Sequence, residues 1–130
     1  MTTSRPIVEQ KYIDYWKARE AKYEAQCKLW EKEAWVEVEA IAKLLQERFG
    51  ATKIVVFGSL VKDRFGEDSD IDIAVEGIDS KSLWDAYAEI SQCSQRFIDL
   101  KAMEKLDPYF KKRVLETGKV LEERDRDEEV

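Results

Sequence analysis

Residues 55–75, VVFGSLVKDRFGEDSDIDIAV, are the most informative stretch of this chain. An apolar run ends at Gly58-Ser59, a short charged loop follows, and Asp70 and Asp72 then stand two positions apart within a second apolar run. Because side chains alternate along a strand, both carboxylates point to one face, about 6–7 Å apart, while the apolar side chains around them point to the other. The stretch therefore predicts two strands joined by a turn and a loop, with a pair of carboxylates on the second strand.

This combination of residues predicts a site for phosphate and magnesium. Paired carboxylates offer the oxygen ligands that hard divalent cations prefer, and a Gly-Ser turn after a strand offers backbone N–H groups and a hydroxyl to a phosphate. Nucleotidyl and phosphoryl transfer need both. The plain alternatives are an ordinary turn and a solvated strand face, but Asp is disfavoured in strands, so two within one Val/Ile-rich run need a reason.

Gly58-Ser59, a short loop and then Ser69-Asp70-Ile71-Asp72 resemble the signature of the DNA polymerase beta-type nucleotidyltransferases, in their smallest branch, the minimal nucleotidyltransferases. The resemblance runs from about residue 51 to residue 121. The family's third carboxylate lies on a later strand, where Asp99 fits, although a polar strand end is the alternative for that residue. The resemblance implies an α/β fold with a small mixed sheet of the polymerase beta-like type, preceded here by a long N-terminal helical extension.

The resemblance also implies what each site residue does. Asp70 and Asp72 would hold two Mg²⁺ ions, and Asp99 would complete the catalytic one and take the proton of the acceptor hydroxyl. ATP would be the substrate. Gly58 and Ser59 would bind its β- and γ-phosphates.

The loop after the turn departs from the family pattern. Asp63 stands where glycine is common, which affects the path of the loop rather than the metal site. Lys62 or Arg64 would add positive charge at the triphosphate. For both, an ordinary solvated loop position is the alternative.

A specific partner follows from the resemblance. Minimal nucleotidyltransferases of bacteria and archaea are often paired with a helical HEPN protein, a ribonuclease toxin, and act as antitoxins by placing AMP on a tyrosine of that toxin. One alternative is a transferase that acts on a small molecule such as an aminoglycoside, although no second subdomain is evident to form the acceptor pocket. The other is a non-enzymatic antitoxin that neutralises its partner by contact alone, which would have no need of three carboxylates.

Composition excludes several other classes of site. The chain has no histidine, which excludes Ser–His triads, histidine acid–base catalysis and histidine-ligated zinc. Its two cysteines lie in helical contexts and do not make a structural zinc site, so a reduced, cytoplasmic protein is expected. The formal charge of −6 argues against direct nucleic-acid binding. No segment has the apolar length of a membrane span.

The N-terminal region predicts one long helix, because residues 7–49 contain no Pro or Gly and apolar positions recur every three or four residues. If unbroken, it would be about 60 Å long. We expect the half from Trp35 to Phe49 to pack on the sheet and the first half to expose an aromatic stripe that docks a helical partner. A helical hairpin with a break near residues 28–33 is one alternative. A self-pairing coiled coil is another, although the aromatic content is untypical of Leu/Ile seams. The stripe comprises Tyr12, Trp16, Tyr23 and Trp30.

The remaining pattern completes an α/β unit. Strands are predicted at 53–57, 69–76 and 96–101, with a short last strand at 120–121. Helices are predicted from Asp79 or Ser80 to about residue 93, and from Asp107-Pro108 to Gly118. The predicted organisation is a helical extension (1–50), a nucleotidyltransferase domain (51–121) and an acidic, disordered tail (122–130).

Overall fold

The computed structural model describes residues 7–123. Helices and strands follow one another as α1 (Ile7–Phe49), β1 (Lys53–Phe57), β2 (Ile71–Glu76), α2 (Ser80–Ile90), β3 (Ile98–Ala102), α3 (Pro108–Thr117) and β4 (Lys119–Glu123). Strand β2 begins two residues later than predicted, so Asp70 lies just before the strand. Glu122 and Glu123 belong to β4 rather than to the predicted tail, and residues 124–130 lie outside the described part of the chain.

The four strands form one mixed sheet in the order β3-β2-β1-β4. Strand β1 runs antiparallel to β2 and β4, whereas β2 and β3 are parallel. The register sets Phe57 opposite Asp72, and Asp72 opposite Asp99. The predicted small mixed sheet after a long N-terminal helix is therefore confirmed.

The two faces of the sheet pack against different helices. The face that carries Ile71 and Ile73 forms the larger core with α1 and α2. The face that carries Val55, Phe57 and Ala74 forms a smaller core with Met103 and with α3. Asp72 alternates with Ile71 and Ile73 along β2, so its side chain lies on the α3 side of the sheet.

Helix α1 is continuous over 43 residues, or about 65 Å, so the hairpin alternative is wrong. Its sheet-packing side carries fully buried residues at a spacing of three or four, as predicted: Ala34, Val38, Ile41 and Leu45. Contact with the rest of the fold begins earlier than Trp35, because Trp30 packs against the larger core and the Lys28 ammonium pairs with Asp63 at 2.6 Å.

The first turns of α1 carry exposed aromatic side chains. Tyr12, Tyr15 and Trp16 form a surface that we call the N-terminal aromatic patch, in which both tyrosine rings meet the Trp16 ring edge to face at 5.9 and 5.7 Å. Tyr23 is also exposed, whereas Trp30 is half-buried. The predicted exposed stripe is therefore correct at Tyr12, Trp16 and Tyr23 and wrong at Trp30, because the globular domain reaches further along the helix than the pattern indicated.

Helix ends follow the predicted capping residues. The Asp107 carboxylate accepts hydrogen bonds from the N–H groups of Tyr109 and Phe110, and Asp79 caps α2. Gly50 ends α1 in the left-handed conformation, with φ +72°. No helix within residues 7–123 is long and apolar enough to span a membrane.

Candidate active site

Three aspartates meet at one end of the sheet. Asp72 lies in β2 with Phe57 of β1 on one side and Asp99 of β3 on the other. Neighbouring strands lie about 4.8 Å apart, and residues in register point to the same face, so Asp72 and Asp99 share one surface. Asp70, two residues before Asp72, is close enough to act on its ionisation.

The electrostatics of this cluster centre on Asp72. The pKa of its carboxyl is raised to about 6. Burial is the largest cause, and the nearby carboxylates of Asp99 and Asp70 are the next two. Lys101 and Lys62 act in the opposite direction. The three acids therefore repel one another in the protein alone, which is the situation that a bound cation relieves.

The turn at Gly58 packs directly against this cluster. Gly58 has φ +81°, and a Cβ at this position would collide with Oδ2 of Asp72. From the sequence, we expect glycine at this position because it lets the backbone approach a phosphate closely. The structure adds a second reason, since the Asp72 carboxylate occupies the space that a side chain would need. Ser59 is half-buried in the same turn.

A cavity of about 330 Å³ opens beside Gly58. Lys62 lines it, and the charge of this lysine acts to lower the pKa of Asp72. Arg113 of α3 lines it as well and is a second cation that the sequence reasoning missed. The signal was the helical spacing of α3, which sets Arg113 on one face with four other residues of the cavity wall: Tyr109, Phe110, Val114 and Thr117.

Arg64 lies elsewhere. It lines a different cavity, against Tyr23, Cys27 and Lys28 of α1, and does not line the cavity beside Gly58. Asp63 has φ +57° and is the one non-glycine residue among residues 7–123 with a positive φ. This left-handed conformation explains why glycine is common at position 63 in the family. Asp adopts a positive φ more readily than most other residues do.

Arg96 fixes the loop that leads into Asp70. Its Nη1 donates hydrogen bonds to the carbonyls of Gly66, Glu67 and Ser69 at 3.1, 2.9 and 2.8 Å, and its guanidinium lies 4.4 Å from the centre of the Phe65 ring. No sequence pattern predicts this role, because the three acceptors are backbone groups about thirty residues earlier in the chain.

The aspartate cluster fits magnesium by its chemistry but is not already arranged as a metal site. Within residues 7–123, no three acidic or cysteine side chains converge closely enough to hold an ion as they stand. Asp99 Oδ2 instead pairs with Lys101 Nζ at 3.4 Å. The donor set is nonetheless all carboxylate oxygen, the ligand type that Mg²⁺ prefers. To bind the cation together with Asp70 and Asp72, the Asp99 carboxylate would have to give up its ion pair with Lys101.

Several solved structures share this fold. A toxin–antitoxin complex with AMP-PNP is 27% identical, with a TM-score of 0.58 over 68% of this chain and 75% of that chain. A structure assigned as a minimal nucleotidyltransferase is 24% identical, with a TM-score of 0.61 over 68% and 93%. The MNT antitoxin bound to a tri-AMPylated Shewanella oneidensis HEPN toxin is 24% identical, with a TM-score of 0.56 over 73% and 76%.

The family assignment follows from the sequence match. No curated protein matches the chain significantly. The family model described as "Polymerase beta, Nucleotidyltransferase" matches residues 39–127, more than half of the 130 residues. The match includes the Gly58-Ser59 turn and all three aspartates, and the sheet has the fold of a minimal nucleotidyltransferase. This chain belongs to the polymerase beta nucleotidyltransferase family.

Proposed function

We propose that this protein is a cytoplasmic, magnesium-dependent nucleotidyltransferase that moves AMP from ATP to a tyrosine hydroxyl of a partner HEPN ribonuclease toxin, and so acts as an antitoxin. The observation that carries the proposal is the register of Phe57, Asp72 and Asp99, which brings two strand carboxylates together beside the turn at Gly58. The 27%-identical neighbour, a toxin–antitoxin complex with the ATP analogue AMP-PNP, supports the nucleotide donor and a toxin as partner.

The reaction is a single displacement at the α-phosphate. The acceptor oxygen forms a bond to the α-phosphorus, the bond to the oxygen that bridges the β-phosphate breaks, and pyrophosphate leaves. Asp99 would accept the proton of the acceptor hydroxyl. Gly58, Ser59 and Lys62 would bind the β- and γ-phosphates and hold the leaving group in line.

Asp70 and Asp72 would hold two magnesium ions, with Asp99 completing one ligand set. Magnesium bound there lowers the pKa of an acceptor hydroxyl and neutralises charge on the leaving pyrophosphate. Burial and the neighbouring carboxylates of Asp99 and Asp70 raise the pKa of Asp72, which supports this role, because a carboxylate in such surroundings gains stability when a cation binds.

Incubation with ATP labelled on the α-phosphate, with and without a purified HEPN partner, tests the proposal. We expect magnesium-dependent label on the partner, and phosphatase-resistant label on tyrosine in its digest. Label on an added aminoglycoside instead would support small-molecule transfer. Neutralisation of the toxin with no label on any acceptor would support inhibition by contact alone.

Lys62→Ala is expected to weaken AMP-PNP binding by about tenfold, the worth of one charge-assisted contact to a phosphate. Lys62 lines the cavity beside Gly58, whereas Arg64, two residues on, lines a cavity against α1. Arg64→Ala is therefore the matched control, with equal loss of charge and no expected loss of affinity. Calorimetric titration with magnesium present makes the comparison, and equal affinities for the two variants would remove Lys62 from the phosphate site.

The N-terminal aromatic patch is our candidate for the docking surface of the partner. Residues 1–38 lie outside the family match, so the patch is an addition to the nucleotidyltransferase domain. Tyr12→Ala with Trp16→Ala should cost about 2 kcal/mol or more of partner affinity, as lost aromatic anchors usually do. Nucleotide binding and melting temperature should stay unchanged, because both side chains are exposed.

Surface plasmon resonance with immobilised partner measures this effect. Val36→Ala, an exposed apolar residue of the same helix, is the control. Trp30→Ala is expected to behave differently and to destabilise the protein alone, because Trp30 packs against the larger core. Wild-type affinity in the double variant would assign the docking surface to another part of the molecule.

A further inference from the structure

A second cavity, of about 410 Å³, opens on the other side of the aspartate cluster, along the outer edge of β3. We call it the β3-edge cavity. Asp99 lines it, so the cavity adjoins the candidate active site. Its other walls come from α2, from β3 and from the segment that follows β3: Leu83, Trp84, Tyr87, Phe97, Leu100, Lys101, Ala102, Lys105 and Leu106.

The position of this cavity suits an acceptor. The Gly58 turn, with its phosphate-binding groups, lies on the β1 side of Asp72, whereas Asp99 lies on the β3 side. An in-line displacement needs the leaving group and the attacking oxygen on opposite sides of the reacting phosphorus. A nucleotide held at Gly58 would therefore leave the β3 side for the attacking hydroxyl.

The edge of β3 is free to pair with another strand. Strand β3 is the last strand on its side of the sheet formed by residues 7–123. The Ile71 N–H donates to the Phe97 carbonyl at 3.0 Å, so alternate residues of β3 bond to β2 from there on. The backbone groups of the intervening residues, Ile98, Leu100 and Ala102, consequently face outward, as an extended peptide needs for strand addition.

The walls of the cavity favour an aromatic acceptor in an acidic context. Trp84 is 79% exposed and Phe97 is 56% exposed, and Tyr87 meets the Phe97 ring edge to face at 6.4 Å. Such exposed aromatic groups beside a cavity are typical of recognition surfaces. Lys105 makes no ion pair within the described residues, so its ammonium is available to a carboxylate of the acceptor. Lys101 is paired with Asp99 at 3.4 Å.

We propose that the β3-edge cavity binds the acceptor protein as an extended segment that adds to β3 and presents a tyrosine, flanked by acidic residues, to Asp99. This inference rests on the proposed function and names the form in which its acceptor is recognised. A residue paired across from Asp99 has its side chain on the same face as the aspartate cluster. Tyrosine then delivers its hydroxyl there while its ring lies beside Phe97, which stands two residues before Asp99 and shares its face.

The test uses the full chain, labelled ATP and two short tyrosine peptides that differ only in acidic or basic flanking residues. The wild type should label the acidic peptide about tenfold more efficiently than the basic one. Trp84→Ala with Phe97→Ala should lower labelling of the acidic peptide by about tenfold or more, the effect of losing two aromatic anchors. Val36→Ala is the control, and AMP-PNP binding should be equal in all three proteins.

Ala102→Pro tests strand addition itself. Ala102 has φ −79°, which proline adopts, and its outward N–H is not part of the ladder with β2. This variant should keep its melting temperature and AMP-PNP binding but lose peptide labelling. Wild-type labelling by either the proline or the double-alanine variant would overturn the proposal, as would label on the whole partner with none on any tyrosine peptide. In that last case the proposed function would stand, whereas absence of label on every acceptor would refute the proposed function.

Discussion

Asp72→Asn is expected to abolish AMP transfer and to raise the melting temperature of the metal-free protein at pH 7. The two effects have one cause. The Asp72 carboxylate is half-buried near Asp99 and Asp70, so its negative charge is unfavourable when no cation is bound. Under the proposed function, the same charge is indispensable for binding magnesium. Loss of transfer should exceed about a thousandfold, since removal of a principal electrostatic group of an active site costs rates of this order.

The gain in stability depends on pH in a defined direction. The folded-state pKa of Asp72 is about 6, above its ordinary value of 3.8. Its contribution to stability is therefore complete below about pH 3.8 and is lost as the pH rises through 6. Asn remains neutral throughout, so the variant and the wild type should differ at pH 7 and converge near pH 4. The side chain is only half-buried, and solvent screening reduces the effect, so we expect a rise of about 3 °C at pH 7.

Thermal unfolding in EDTA at both pH values, together with transfer assays in magnesium, measures the two effects. Asp85→Asn is the control, because it removes the same charge from an exposed position of α2 and should change neither quantity. An equal rise in melting temperature for Asp85→Asn would mean that net charge, rather than the aspartate cluster, limits the stability. Substantial transfer by Asp72→Asn would remove Asp72 from the proposed chemistry.

The elements that build this site were predictable because their signals are local. The alternation of acidic and apolar residues from Asp70 to Val75 predicts a strand with acids on one face and apolar side chains on the other. The capping residue Asp107 likewise predicts the start of α3 to within one residue. The pairing of Asp99 with Asp72 came from resemblance. A strand pattern predicts a face but not a neighbour, and here the parallel register of β2 and β3 supplies the neighbour.

Other features depend on tertiary packing that no short pattern carries. Lys62 and Arg64 are equivalent in sequence terms, but the left-handed backbone at Asp63 turns the loop between them, so they line different cavities. Trp30 continues the spacing of the exposed aromatic residues, yet it packs against the larger core. The β3-edge cavity likewise combines residues of α2 and β3 that come together only when the sheet forms.

Gly58→Ala is expected to lower AMP transfer by about a hundredfold, the cost of displacing a catalytic group by roughly 1 Å. Its new Cβ would collide with Oδ2 of Asp72, and the carboxylate would have to rotate away from the position that the register gives it. The variant also places a non-glycine residue at φ +81°, which costs about 1–2 kcal/mol of stability by itself. A drop in activity alone would therefore confound strain with collision.

Gly50→Ala separates the two causes. Gly50 has a similar φ of +72°, but no atom lies within 4 Å of the Cβ that the substitution would add. Both variants should lose a few degrees of melting temperature, about 3–6 °C for a domain of this size. Only Gly58→Ala should also lose transfer, assayed well below either melting temperature. Activities of the two variants within about threefold of each other would mean that the Asp72 carboxylate does not depend on the open space at Gly58, because a displacement of about 1 Å costs far more than that.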